Sequence, residues 1–221
     1  HKKTLGPKPK TQEMNNLEKK EPINILENYT VTDKAEGEGK TLYILGIKHL
    51  SKENKQDFGE DKINKLLGKI YMIDNKDIYY TGLQTKSKNL HNTIINGEYM
   101  KNDRQNKFIS KYLAYDLYFS NGIDYHELPL MKQDNSSSRL KELQNKVDQI
   151  KETSDYFKIE VKKFYMSTEN STIFKLSKNI LEDTRIDYKL DGLIYTPSYF
   201  PVGYDKKTIT KIKHLRVNMY D

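Results

Sequence analysis

The feature that most constrains the fold is a succession of short apolar segments in the middle of the chain that are separated by turns. Residues 69–74 and 77–82 are rich in isoleucine and tyrosine and flank a polar Asn-Lys pair, which predicts a β-hairpin. Two further strands are predicted at 92–100 and 107–119, before an Asn-Gly turn. Because strands joined by short turns pair antiparallel, this region predicts an antiparallel sheet.

The flanking segments add further strands and a few helices. The predicted strands lie at 29–32, 40–45, 157–164 and 189–195, and the predicted helices lie at 51–68, 139–150 (preceded by three capping serines) and 172–181. Strands and helices do not alternate as they do in βαβ units. The sequence therefore predicts an α+β fold with mostly antiparallel sheets.

Composition limits the classes of function. Only 35% of the residues are hydrophobic, but 17 tyrosines and 7 phenylalanines can supply buried area, so a packed core is expected. A net charge of +7 favours a polyanionic partner such as nucleotide phosphates or RNA. The absence of cysteine excludes disulfides and thiolate metal sites, and no apolar run is long enough for a signal peptide or a membrane span.

Three regions are predicted along the chain. Residues 1–28 are polar, rich in lysine and interrupted by prolines, which is typical of an extended approach segment. Residues 29–205 form the main domain, and residues 206–221 form a C-terminal tail. Since the chain begins with histidine, we expect it to have been cut from something longer.

Lys34 is the candidate nucleophile. It follows a β-leaning run and precedes Gly37, so a strand would hold its stem while the glycine lets a bulky ligand approach. A lysine amine attacks only in its neutral form, and its surroundings must favour that form. The alternative is an ordinary solvated lysine in a lysine-rich protein.

Four clusters at strand ends carry the candidate chemistry. They are residues 34–37 (Lys-Ala-Glu-Gly), 96–98 (Asn-Gly-Glu), 115–119 (Tyr-Asp-Leu-Tyr-Phe) and 191–194 (Asp-Gly-Leu-Ile). Taken singly, each has an ordinary interpretation, because Asn-Gly and Asp-Gly are turn dipeptides and aromatic strands usually form core.

In this order the clusters resemble the signature motifs of the covalent nucleotidyltransferases, which include mRNA guanylyltransferases and the DNA and RNA ligases. Residues 34–37 resemble the Lys-x-Asp-Gly nucleophile motif, residues 96–98 the Asp-Gly-Glu motif, and residues 191–194 the acid-Gly-Leu-(Val/Ile) motif. Residues 4–9, 29–35 and 191–197 are also similar to the guanylyltransferase region of large DNA virus capping enzymes. The last of these segments reads Asp-Gly-Leu-Ile-Tyr-Thr-Pro.

The resemblance implies a nucleotidyltransferase (ATP-grasp-like) domain with two mostly antiparallel sheets flanking a nucleotide cleft. It implies an mRNA guanylyltransferase that forms a lysine–GMP intermediate from GTP and transfers GMP to the 5′-diphosphate end of RNA, with Mg²⁺ or Mn²⁺ as cofactor. Cytoplasmic localisation, at a viral replication site or in the virion, is also expected. Triphosphatase and methyltransferase domains of a longer parent chain are possible partners, and no membrane partner is expected.

The resemblance also assigns roles to individual residues. Lys34 would be the nucleophile, and Glu98 and Asp191 would hold the metal or the ribose. The nucleotide-binding residues would be Glu36, Gly37, Tyr118, Phe119 and Lys189.

Three positions depart from the family pattern, and they keep two alternatives open. Glu36 and Asn96 each replace an aspartate, and Gly39 stands where the family usually has an arginine. Residues 210–215 resemble the family's Leu-Lys-Trp-Lys motif only faintly, and no OB-fold follows them, so we expect either truncation or decay of the catalytic machinery. The alternatives are a catalytically decayed binding or scaffolding module and an ATP-dependent polynucleotide ligase.

Overall fold

The computed structural model describes residues 10–11, 25–26, 28–46, 68–74, 77–134, 136–150, 156–202 and 215–217. These residues form two β-sheets and two α-helices. In chain order the elements are β1 (Lys10–Thr11), β2 (Tyr29–Ala35), β3 (Glu38–Leu45), β4 (Gly68–Ile73), β5 (Ile78–Thr85), β6 (Thr93–Asn102), β7 (Phe108–Ser120), β8 (Ile123–Asp124), α1 (Arg139–Asp148), β9 (Lys158–Val161), β10 (Tyr165–Met166), α2 (Ile173–Leu181), β11 (Leu190–Pro197) and β12 (Leu215–Val217).

The larger sheet has seven strands and is built mainly from neighbours in sequence. Its order is β5-β4-β3-β6-β7-β8, and β9 pairs with β7 in parallel. All the other pairs in this sheet are antiparallel. The predicted hairpin is confirmed as the β4–β5 pair, in which Tyr71 lies opposite Tyr80.

The smaller sheet has five strands and collects segments that are distant in sequence. Its order is β1-β12-β11-β2-β10, with β1 and β12 parallel and the other pairs antiparallel. Strand β2 lies between β11 and β10, but β10 pairs only with Thr30 and Val31, whereas β11 pairs with β2 from Tyr29 to Ala35. Lys34 therefore lies on the part of β2 that pairs with β11.

Both helices begin at a residue whose side chain caps them. The hydroxyl of Ser138 accepts a hydrogen bond from the Lys141 amide at the start of α1, and that of Thr172 accepts one from the Lys175 amide at the start of α2. Helix α1 packs against β7 and β9, and α2 packs against β2. Both helices agree with the predictions from sequence.

Apolar clusters cover each sheet, and a third cluster joins the two sheets. The third consists of Ala35 from the smaller sheet, Met100 and Leu113 from the larger sheet, and Tyr188 from the segment before β11. Because Ala35 directly follows Lys34, this junction lies beside the candidate nucleophile.

Most of the predicted elements are confirmed, with local differences. Strand β9 covers only part of the predicted strand 157–164, and residues 51–67 of the predicted helix lie outside the described residues. Ile25, in the predicted approach segment, is buried in the core of the smaller sheet. Within the described part of the chain, no helix is both long and apolar enough to cross a membrane.

Candidate active site

Lys34 lies near the end of β2 and contacts the start of β11. Its amine forms an ion pair with the carboxylate of Asp191. The amine also donates to the backbone carbonyl of Asp191, at 3.4 Å, across a sequence separation of 157 residues. The lysine side chain is 15% exposed, so it is shielded from bulk solvent but open on one side. The first and last clusters of the predicted motif set thus meet at the Lys34 amine.

A β-bulge shapes the strand that carries Asp191. Pairing between β2 and β11 shifts register between Leu190 and Leu193. Within this bulge Gly192 adopts a φ of 114°, a left-handed conformation that side-chain-bearing residues rarely reach. A glycine at position 192 is therefore favoured by the backbone geometry at the point where β11 meets Lys34.

The connection between β2 and β3 forms hydrogen bonds to segments of both sheets. The Glu36 amide donates to the carbonyl of Lys189 at 3.0 Å, and the Gly37 amide donates to Glu98 Oε1 at 3.3 Å. A Cβ atom added at Gly37 would lie 2.7 Å from Glu98 Cγ and would also meet Met100 Sδ. A glycine is therefore needed for this bend to approach β6 so closely.

Glu98 also belongs to a buried charge network that was not predicted from the sequence. The Lys162 amine lies 3.3 Å from Glu98 Oε2 and 3.3 Å from Asp33 Oδ2. The Tyr188 hydroxyl donates to the same oxygen of Asp33 at 3.2 Å. Burial, together with the charge of Asp33, raises the pKa of Tyr188, so this hydroxyl stays a donor at neutral pH.

The aromatic strand β7 contributes Tyr118 and Phe119. Tyr118 is buried, and its ring stacks on His126 with the ring centroids 4.7 Å apart. Phe119 is half-buried and meets His126 edge-on at 4.9 Å. Both aromatics therefore contact His126, and of the two only the half-buried Phe119 offers exposed ring surface on which a base could stack.

Asn96 links three strands of the larger sheet. Its amide nitrogen donates to the Tyr118 hydroxyl at 3.0 Å, and its amide oxygen accepts from the Thr41 hydroxyl, also at 3.0 Å. An aspartate would have no amide donor for this arrangement, and it would lie across the strand pair from the carboxylate of Asp116. The asparagine thus fits its surroundings in this chain.

A second buried pair supports β7 from the side of α1. Arg139 Nε lies 2.7 Å from Asp116 Oδ1, and both side chains are nearly inaccessible to solvent. Burial raises the pKa of Asp116, although the guanidinium of Arg139 opposes that rise. Burial, followed by the nearby charges of Glu98 and Asp116, raises the pKa of Tyr115 to about 12.

Two other lysines near the site differ in their surroundings. Lys189 is exposed on the segment that leads into β11, where its backbone carbonyl holds Glu36. Lys40 is held by Asp74 at 2.6 Å and Glu38 at 2.9 Å, and the hydrogen bond to Asp74 is the main cause of its raised pKa. Lys40 is thus engaged at the β4–β5 turn rather than with Asp191.

The acidic residues could take part in divalent-cation binding together with a phosphate ligand. Among the described residues, no group of three or more acidic or histidine side chains is arranged to hold a metal ion. Mg²⁺, however, commonly takes one or two protein carboxylates and completes its shell with water and substrate phosphates. Glu98 and Asp191 offer hard oxygen donors of this kind, and the Asp191 side chain is 40% exposed.

The two-sheet α+β architecture, with its lysine and acid clusters, is consistent with a nucleotidyltransferase domain. The family model described as mRNA capping enzyme, catalytic domain, matches residues 5–214. The chain therefore belongs to the family of mRNA capping enzyme catalytic domains. No curated protein matches the chain.

Proposed function

We propose that this chain is an mRNA guanylyltransferase, of the type found in large DNA viruses, that uses Lys34 as its nucleophile. The observation that carries the proposal is the ion pair between Lys34 and Asp191, which joins two clusters of the motif set at one amine. The supporting contact is the hydrogen bond from Gly37 to Glu98, which brings a third cluster to the same bend.

In the first half-reaction, Lys34 Nζ attacks the α-phosphorus of GTP. The new N–P bond forms as the bond from the α-phosphorus to the oxygen of the departing pyrophosphate breaks. The ammonium loses one proton before it attacks, and the carboxylate of Asp191 lies against the amine as an acceptor. The nitrogen loses a second proton, to the departing pyrophosphate or to water, as the N–P bond forms. The products are a lysine–GMP phosphoamide and pyrophosphate.

In the second half-reaction, a terminal oxygen of a 5′-diphosphate RNA attacks the same phosphorus. The N–P bond breaks, GMP passes to the RNA, and the amine of Lys34 regains a proton. The exposed side of the Lys34 side chain allows the RNA end to reach the phosphoamide. The net charge of +7 suits both polyanionic substrates.

The other predicted residues have supporting roles in this proposal. Glu98 and Asp191 hold Mg²⁺ or Mn²⁺ or the ribose, and a bound cation would neutralise phosphate charge. Lys189 meets phosphate, and the bend at Glu36 and Gly37 lies beside the nucleotide. The aromatic residues Tyr118 and Phe119 of β7 contribute to the guanine pocket.

A second candidate function is a catalytically decayed module that binds RNA or protein. The observation that favours it is Asn96, whose amide is committed to Thr41 and Tyr118 where the family has a charged aspartate. Glu36 and Gly39 add two further departures from the family pattern. Such a module would bind without forming a covalent bond to a nucleotide.

The test is incubation with α-labelled GTP and Mg²⁺ or Mn²⁺, followed by a denaturing gel. The guanylyltransferase proposal predicts an acid-labile, alkali-stable labelled band, which Lys34→Ala abolishes. Lys40→Ala is the matched control, since it removes a nearby partly buried lysine that is held elsewhere, and it should leave most of the labelling. Labelling by ATP in place of GTP would indicate a ligase. Labelling that survives Lys34→Ala would contradict the assignment of the nucleophile.

A further inference from the structure

Lys162 is a buried lysine that contacts both sheets beside the candidate nucleophile. Its side chain is only 2% exposed, and its amine lies 3.3 Å from carboxylate oxygens of both Asp33 and Glu98. Asp33 lies on β2 of the smaller sheet, and Glu98 lies on β6 of the larger sheet. The Lys162 amide donates to the carbonyl of Ala114 at 2.7 Å, which anchors its backbone to β7.

Both carboxylates are held at their second oxygen as well. Glu98 Oε1 accepts from the Gly37 amide at 3.3 Å, and Asp33 Oδ1 lies 3.4 Å from the Thr32 hydroxyl, whose shorter contact is the Lys163 carbonyl at 2.7 Å. Lys162 therefore completes the set of contacts that fixes each carboxylate. Asp33 is the immediate neighbour of Lys34, so fixing Asp33 also fixes the part of β2 that presents the nucleophile.

We propose that Lys162 is a positioning residue, which holds Glu98 and the Asp33–Lys34 segment of β2 in register across the two sheets. This inference rests on the proposed guanylyltransferase function. Without the ammonium, two buried carboxylates would face each other without their shared partner and would move apart. Glu98 and Lys34 would then lose their relative placement, and group transfer is sensitive to displacements of this kind.

Lys111 provides a matched control for the loss of a buried lysine. It is also buried and shared by two acids, with its amine 2.7 Å from Asp187 and 3.2 Å from Glu160. Neither of these acids belongs to the Glu98–Lys162–Asp33 network or to the four motif clusters. Lys111→Met therefore removes a buried lysine that two acids share, although these acids are about half exposed, and it leaves the Glu98–Lys162–Asp33 contacts in place.

The first arm of the test measures the rate of covalent GMP labelling over a range of GTP concentrations. Lys162→Met is expected to lower the maximal rate about 30-fold or more, whereas Lys111→Met should stay within about threefold of the unsubstituted chain. Combining Lys162→Met with Glu98→Gln should cost little more than Glu98→Gln alone, because both changes disrupt the same placement. A Lys162→Met rate within about threefold of the unsubstituted chain, or losses that multiply, would overturn the proposal.

The second arm is a double-mutant cycle on the unfolding equilibrium and needs no activity. The proposal predicts that Lys162→Met and Glu98→Gln are coupled by at least about fivefold in the unfolding equilibrium constant. If Lys162→Met does not fold, the cycle is measured in an Asp33→Asn background, in which only Glu98 loses a charged partner. Additive effects would overturn the proposal. If the unsubstituted chain is not labelled, the guanylyltransferase proposal fails, and this arm alone decides whether Lys162 positions Glu98.

Discussion

Adding a single Cβ atom at Gly37 should destabilise the protein, because the bend there is closely packed. An added Cβ would lie 2.7 Å from Glu98 Cγ, 3.0 Å from the carbonyl oxygen of Tyr99, and against the sulfur of Met100. Met100 is itself 2% exposed in the cluster that joins the two sheets, so it has little room to move. Overpacking of this kind costs about 1–3 kcal/mol, and we expect Gly37→Ala to lower the free energy of unfolding by that amount.

Gly39, two residues further along in β3, provides a matched control. A Cβ atom at Gly39 would have no atom within 4 Å, and Gly39 does not have a left-handed φ. Gly39→Ala should therefore be neutral, or should stabilise by up to about 1 kcal/mol, because alanine restricts the unfolded chain. Both variants change one glycine to alanine within three residues, so their difference isolates the contacts at Gly37.

The assay is thermal or urea unfolding of both variants, followed by GMP labelling at saturating GTP. For a chain of this size the expected loss in Gly37→Ala corresponds to a Tm lower by about 2–12 °C. Because the Gly37 amide donates to Glu98, we also expect labelling to fall about tenfold or more in Gly37→Ala but not in Gly39→Ala. Equal stability and equal labelling in the two variants would refute the reasoning.

Three further predictions concern stability. Arg139→Met should cost about 3–5 kcal/mol in urea unfolding because it leaves Asp116 buried without its cation, whereas removing the exposed Arg185 should cost less than about 1 kcal/mol. Tyr115→Phe should reduce the loss of stability between pH 10 and 12 by about 2–3 kcal/mol. Burial raises the pKa of Tyr115 to about 12, so the stabilisation that its neutral hydroxyl provides is complete below pH 10 and is lost as the pH rises towards about 12. Ser138→Ala should cost about 1 kcal/mol, measured by thermal unfolding, through loss of the cap of α1.

The parts of the fold that sequence could predict depend on local rules. The β4–β5 hairpin follows from two runs rich in isoleucine and tyrosine around a turn, and α1 begins after Ser138, one of the three predicted capping serines. The order of the four clusters also predicted the family correctly. Each of these signals is contained in a short stretch of sequence, and so it can be read without knowledge of long-range pairing.

The unpredicted parts depend on contacts between distant segments. Nothing in the Val-Lys-Lys-Phe run at 161–164 distinguishes Lys162 as a buried lysine from its exposed neighbour Lys163. Its burial results from the parallel pairing of β9 with β7, which places it between Asp33 and Glu98. The parallel pair of β1 and β12, from opposite ends of the chain, could not be predicted from sequence for the same reason.

The bulges in β7 limit sequence reasoning at the aromatic cluster. Register with β6 shifts between Ile94 and Ile95 and again between Asn96 and Gly97. Simple alternation along β7 therefore does not give the faces on which its tyrosines lie. The stacking of Tyr118 on His126, a histidine in the following turn, was missed for this reason.

The most direct test of the central claim is to locate the GMP adduct by mass spectrometry. The protein would be incubated with GTP and Mg²⁺ or Mn²⁺, digested without acid treatment, and searched for lysine–GMP peptides. A guanylyltransferase with Lys34 as its nucleophile should give a single adduct on Lys34, which pyrophosphate reverses. An adduct on a different lysine would contradict the site. No adduct with either metal would contradict the proposed guanylyltransferase and favour the decayed binding module.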